Sequence, residues 1–215
     1  LHQREGVPNV MVMDGSKEQG LVQFRRKCRQ AGSHLKATEP YSPWQNAAEG
    51  CIRELKRGSG REMVCSHAPK QLWDYCLEWQ ALVRSCTALN IYGLQGEVPE
   101  THVMGDTADI SAVGLFRWYE WVMFRDTAIK FPEDNEVLGR DLGPSIDHGP
   151  ALARRILKEN GEVVIRSTVR SLTQDELMSE DEKAKRKARE KVRDVAAELL
   201  SIYAQREARK GHVYH

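Results

Sequence analysis

The chain has 215 residues, of which 40% are hydrophobic and 29% charged, and its net charge is +1. That length holds one good-sized core or two small ones, and the composition belongs to the ordinary globular range rather than to a disordered or collagenous class. No apolar run approaches the roughly 20 residues of a membrane span, and five cysteines without CxxC spacing read as reduced thiols of a nuclear or cytoplasmic protein, not as a disulfide framework or zinc finger.

The chain begins Leu1-His2-Gln3, without an initiator Met or a signal-peptide apolar stretch, and is expected to be a piece of a longer protein. Charge is unevenly spread: residues 1–65 carry a net +4, 66–110 −4, 111–178 −2 and 179–215 +3. The basic first stretch suits a surface that handles phosphates, and equally a solvated face.

Asn9 to Met13 is a short apolar run ending at Asp14-Gly15, which reads as a buried strand meeting a turn. From Lys17 to Ala31, Leu21, Phe24 and Cys28 stand at helical spacing, and Gly32 is placed to close that helix. Ser33 to Glu39 reads as a second strand, stopped by Pro40. A long helix starts near Trp44 with Ala48, Ile52, Leu55 and Met63 on one apolar face, and Gly58-Ser59-Gly60 predicts a break or a weak point in it. Pro69 restarts a helix in which Leu72, Tyr75, Cys76, Trp79, Leu82, Val83 and Cys86 form an amphipathic stripe. Strand–helix–strand–helix alternation predicts an α/β layer.

Residues 90–113, with Gly93, Gly96, Pro99 and Gly105, read as a connecting segment. From Gly114 to Thr173 the pattern turns to short strands. Leu115 to Phe124 is aromatic-rich, and Gly161-Glu162 between Ile156-Leu157 and Val163-Val164-Ile165 predicts a hairpin. Five such strands suggest a small β-barrel. From Ser179 no Gly or Pro occurs until Gly211, and Val192, Val195, Ala196, Leu199, Ile202 and Tyr203 make one stripe of a long amphipathic helix. The expected division is therefore 1–89, a connecting segment 90–113, a small β-domain 114–178 and a helical tail 179–215.

Asp14-Gly15-Ser16-Lys17-Glu18 and Tyr41-Ser42-Pro43-Trp44-Gln45-Asn46-Ala47-Ala48-Glu49 set two carboxylates 35 positions apart, one at a strand end and one a turn into a helix. Two-metal phosphodiester transfer needs hard oxygen ligands on rigid elements, converging on ions about 3.5–4 Å apart. The residues alone fit a plainer account as well, with Asp14 as a turn residue and Glu49 answering the helix dipole.

The two stretches resemble the second and third acidic motifs of integrases from copia-type retrotransposons, in which an Asp is followed roughly 35 residues later by Ser-Pro-x-x-Asn-Gly-x-x-Glu. Ser42, Pro43, Asn46 and Glu49 match at their offsets. The resemblance continues through Trp121-Val122-Met123-Phe124-Arg125, Leu138-Gly139-Arg140, Pro144, Asn160-Gly161-Glu162 and Arg166, and covers about residues 8–178. It implies a partial RNase H-like integrase core, truncated at its N-terminus, a small β-barrel-like domain and a C-terminal helix. It also implies Mg2+ or Mn2+ held by Asp14 and Glu49, and DNA as partner. Gln45 and Asn46 would position the helix and meet DNA, and Lys36, Arg53, Lys56 and Arg57 would contact phosphates.

The sequence departs from that pattern in places. The family Gly after Asn is Ala47, and Gly50 follows the catalytic Glu in place of a basic residue. Only 13 residues precede Asp14, so the family's first Asp is expected upstream, and with two of three carboxylates the chain is expected to be a poor catalyst or none. Residues 183–212, with Lys191 to His212 closest, are similar to a linker helix of bacterial transcription-repair coupling factors, although no phosphate loop occurs anywhere in the chain. A mosaic gene would produce such a change of resemblance near Ser179.

Three functions compete. One is an integrase fragment whose full-length parent integrates DNA by metal-dependent phosphodiester transfer. Another is a catalytically dead nucleic-acid-binding or protein-interaction module. The third is a linker whose helix 180–210 docks on a protein partner such as a polymerase or motor; the plainer variant is a basic amphipathic helix that packs on the domain or forms a homo-oligomer. Cys65-Ser66-His67 with Cys76 reads as helical burial rather than a metal site. Trp118, Tyr119 and Trp121 read as core before base-stacking groups.

Overall fold

The description below is of a computed structural model, and it covers residues 8–13, 22–37, 47–91, 93–148 and 152–190. Two compact units are present: Leu1–Gly58 with Ser85–Ala108, and Ser59–Arg84 with Asp109–His215.

In the first unit the apolar run before Asp14 forms β1 (Val10–Met13), and β2 (His34–Ala37) lies parallel to it, from Val10 opposite His34 to Met13 opposite Ala37. Parallel neighbours need a crossover, and α1 (Val22–Gln30) lies between them in sequence, its Cys28 buried. Gly32 ends this stretch in the left-handed region (φ +82), and the Gly32 and Ser33 N–H groups donate to the Arg29 and Cys28 carbonyls. That is the capping predicted from the sequence. Ser33 is buried, and its hydroxyl donates to the Pro8 carbonyl at 2.5 Å, tying the start of β2 to the start of β1. Later in this unit the segment read as a plain connection holds α4 (Pro99–Met104), opened by Pro99 and closed by Gly105 at φ +80. The Cys86 thiol donates to Glu100 at 3.2 Å.

The helix α2 (Ala47–Ser66) is unbroken through Gly58-Ser59-Gly60, which excludes the break and leaves the weak point. Two glycines cost such a helix about 2 kcal/mol against alanine. Packing opposes that cost: Ser59 is 6% exposed, and the buried Cys76 thiol donates to its carbonyl at 3.6 Å. The apolar face predicted for α2 is buried only toward its end. Leu55 and Met63 are half-buried, whereas Ala48 and Ile52 are exposed. In the second unit Pro69 opens a 3-10 turn (Lys70–Leu72), which leads into α3 (Trp73–Ser85). Cys76 of α3 packs with Trp118, Tyr119 and Leu142, flanked by Leu72, Tyr75 and Trp79.

The rest of the second unit is built on β3 (Trp121–Arg125), β4 (Glu136–Pro144), β5 (Arg154–Leu157), β6 (Val163–Arg166) and β7 (Val169–Ser171), in the order β6-β5-β4-β3-β7, all antiparallel. Val122 and Phe124 alternate with their neighbours along β3 and share a core with Ile156, as the strand period requires. The hairpin predicted at Gly161 is present, with Gly161 at φ +85 and the Lys158 N–H donating to the Glu162 carbonyl. The strand predicted from Leu115 begins only at Trp121. Before it come the short α5 (Ser111–Gly114) and a turn with Tyr119 at φ 64.

The expected barrel is not a closed one. No ladder joins β6 to β7 among the described residues, so the sheet is open. Its two edge strands are nonetheless joined by Ser167 and Thr168 alone, which holds Arg166 and Val169 within about 11 Å. The sheet must therefore curl at that corner. Buried Asp126, just past β3, pairs there with Lys158 at 2.9 Å and Arg166 at 3.6 Å. These partners hold its carboxyl below the usual carboxylate range, the Lys158 bond most of all.

A capping box at Thr173 and Glu176 starts α6 (Gln174–Met178), and a further helix, α7, runs over 180–190. Arg189 donates to the Leu138 carbonyl at 2.6 Å and pairs with Glu159 at 3.1 Å. Glu190 accepts from Arg140 at 2.6 Å. These bonds seat α7 on the sheet. The stripe predicted from Val192 onward lies outside the described residues.

Candidate functional site

Both candidate carboxylates belong to the first unit. Met13 closes β1 opposite Ala37 at the carboxyl end of β2. The carboxyl ends of parallel strands are where open α/β sheets gather ligands. Asp14 follows Met13 in the sequence, and it lies outside the described residues, as do Gln45 and Asn46. Glu49 is the third residue of α2 and the one acidic residue in its first turn, and it is exposed. Its place in that turn is favourable for a carboxylate on dipole grounds alone.

The helix repeat adds a relation that residue types alone do not state. Glu49, Arg53, Lys56 and Arg57 stand at i, i+4, i+7 and i+8 of α2, so they share one face. All four are exposed. Arg57 comes no nearer than 4.0 Å to Glu54, a weak surface pair. Lys36 is exposed on β2. A phosphate lying along this face would meet cations beside the candidate metal ligand.

A divalent hard cation requires several oxygen donors. Among the described residues no group of three or more His, Cys, Asp or Glu side chains could hold a metal ion. Glu49 supplies oxygen of the right chemical class, and the fit to Mg2+ or Mn2+ rests on Asp14 joining it. Of the two thiols expected to be buried in helices, Cys76 is, and burial pushes it up to about 11, whereas Cys65 is exposed.

Trp118 and Tyr119 are 2% and 1% exposed and belong to the core. Trp121 is half-buried beneath the Arg140 guanidinium, which lies 3.7 Å from its ring centroid and 4.5 Å from that of Tyr119. Arg140 also donates to the Tyr119 carbonyl at 2.8 Å. The aromatics noted in the sequence thus frame an arginine that holds α7.

Two side chains that sequence reasoning passed over are central to the second unit. Arg154 and Asp141 are 1% and 0% exposed and bind each other through two bonds of 2.9 and 2.5 Å. Arg154 also donates to the Ala112 carbonyl, fastening α5 to the sheet. Burial pushes the Asp141 carboxyl up, and the two Arg154 donors pull it down. No sequence pattern announces this pair, because an isolated Asp and Arg 13 residues apart have no periodic relation to the fold.

No known family model matches the chain. A 32-residue stretch is 66% identical to a transcription-repair-coupling factor of Haemophilus influenzae, covering 15% of this chain and 3% of that protein. Among solved structures the chain is similar to one in a cryo-EM structure of a simian T-cell lymphotropic virus intasome in complex with the PP2A regulatory subunit B56 gamma. That similarity has 13% identity and a TM-score of 0.39, over 80% of this chain and 60% of the other. At that score the likeness decides neither fold nor function. No helix among the described residues is long and apolar enough to cross a membrane.

Proposed function

We propose that the first unit carries the second and third acidic positions of a DDE-type integrase core of copia type, and that the chain is a fragment of a full-length parent that integrates DNA by metal-dependent phosphodiester transfer in the nucleus or cytoplasm. The observation that carries this reading is the parallel β1–α1–β2 unit followed by α2, with Asp14 next after β1 and Glu49 in the first turn of α2. Asp14 and Glu49 would hold Mg2+ or Mn2+. Bound there, the ions supply activation of an attacking hydroxyl and stabilisation of a leaving oxygen. The chain's own part is to aim the two carboxylates from a strand end and a helix start. Arg53, Lys56 and Arg57, on the face of Glu49, and Lys36 on β2 hold the DNA backbone, with Gln45 and Asn46 at the start of the helix meeting DNA.

Strand transfer of a labelled oligonucleotide in Mn2+, by the parent protein that includes the first Asp expected upstream, tests this reading. Asp14→Asn and Glu49→Gln are each expected to lower the rate at least about 100-fold, since metal stabilisation is worth several kcal/mol. Activity that survives both substitutions contradicts it.

A second reading is favoured by α7. Its seating on the sheet through Arg189 and Arg140 makes the second unit and its tail one interaction module, with helix 180–210 reaching a protein partner or a second copy. A protein that binds DNA but shows no Mn2+-dependent strand transfer fits that reading instead.

A further inference from the structure

The chain as a whole is nearly neutral, with 32 Lys and Arg against 31 Asp and Glu. A solvated surface drawn from such a chain carries both signs. Residues 22–37 do not: they hold Arg25, Arg26, Lys27, Arg29 and Lys36, with His34, and no acidic residue. All five cations are exposed, and among the described residues none has an ion-pair partner.

The reason lies in how α1 is seated. Cys28 is buried and Phe24 half-buried, so the helix rests on that side. At 100° per residue, Arg26 and Arg29 then stand on the far side, with Arg25 and Lys27 on the two flanks. Val22, Gln23 and Gln30 share that outward side, which carries four cations and no acid. Like charges this close repel one another. Among the described residues no carboxylate offsets that repulsion.

We propose that the outward face of α1, through Arg25, Arg26 and Arg29 with Lys27 beside them, binds the phosphate backbone of duplex DNA. Arginine suits phosphate because its planar donors match phosphate oxygens two at a time. The helix would follow the backbone without reading bases. This is a surface separate in sequence from the α2 face. The proposal deepens the integrase reading and rests on it for the choice of duplex DNA as the polyanion.

The test is fluorescence anisotropy of the full chain with a labelled duplex of about 25 base pairs, in EDTA, from 50 to 200 mM salt. Arg25→Gln/Arg26→Gln/Arg29→Gln is expected to reduce the slope of log affinity against log salt by about 2.7, at about 0.9 per charge removed. Its disadvantage against wild type should then shrink about 40-fold across that salt range. The all-lysine triple variant should keep the wild-type slope. A glutamine triple variant with wild-type slope and affinity overturns the proposal, as does a lysine variant that fails as badly as the glutamine one. Binding in EDTA does not engage the metal pair, which strand transfer in Mn2+ reads. Loss of the metal pair and loss of the α1 surface are thus read in different experiments.

Discussion

The Asp141–Arg154 pair is the most exacting feature at the scale of single residues. Both side chains are almost wholly buried. An ion pair of this kind is roughly neutral to stability while intact, but removing one partner strands a charge in the core. Arg154→Met is therefore expected to cost about 3–5 kcal/mol, read as a shift in the urea midpoint. The double variant with Asp141→Leu should recover much of that loss. Thiol chemistry gives a second prediction. Cys51 and Cys65 are exposed, and Cys28, Cys76 and Cys86 are buried. Ellman's reagent at neutral pH should modify two thiols rapidly and the rest only on unfolding, with Cys76 slowest because burial lifts its thiol to about 11. Rapid modification of Cys76 would contradict the packing of α3.

Glu176 adds a pH dependence. Both its oxygens accept from Arg170 at 2.9 Å, and the Thr173 N–H adds a third bond at 2.7 Å. These bonds, Arg170 first, hold its carboxyl at about 2, against an ordinary 4.5. The folded-state value is depressed, so the stabilisation is complete above about pH 4.5 and is lost as pH falls toward 2. Glu176→Gln should be less stable than wild type at pH 7 and equal to it near pH 2. Parallel stability curves across that window would count against the network.

Among the elements, β4 has the least room for change. A Cβ on Gly139 would stand 2.5 Å from Ile156 Cγ2 and 3.1 Å from the Leu157 carbonyl oxygen. Gly139→Ala should therefore destabilise by about 1–3 kcal/mol, measured by thermal melting. Gly143 combines φ +104 with the Trp79 ring 3.1 Å from a would-be Cβ, so alanine there is strained in backbone and side chain alike. Much of this layer was legible beforehand. The apolar run before Asp14, the helix closed by Gly32, the restart after Pro69 and the hairpin at Gly161 all follow from local chemistry. The misses share a cause. Gly58-Ser59-Gly60 stays helical because Cys76 and its neighbours pack on Ser59, and the strand expected from Leu115 is shortened by the turn at Tyr119. Both outcomes are set by residues distant in sequence, where local propensity is silent.

The whole molecule comprises two units with different logic. The first places a strand end, a helix start and two basic faces in one α/β piece. The second curls five short strands around a small core and seats α7 on them through arginines. Of the candidate site, the sequence located the carboxylates and the basic positions of α2. The common face of Glu49, Arg53, Lys56 and Arg57 follows from helix geometry. The acid-free stretch of α1 is equally visible in the sequence, but a run without acids has no fixed spacing to mark it as a site. What no local pattern conveys is the distance between Asp14 and Glu49, which depends on how the chain from β1 to α2 closes in space.

That distance is the central quantity, and anomalous diffraction from crystals soaked in Mn2+ measures it directly. The account predicts the Asp14 and Glu49 carboxylates within about 8 Å of each other with a Mn2+ peak bonded to both. Carboxylates farther apart than that, or Mn2+ bound elsewhere with neither of them as ligand, would contradict it.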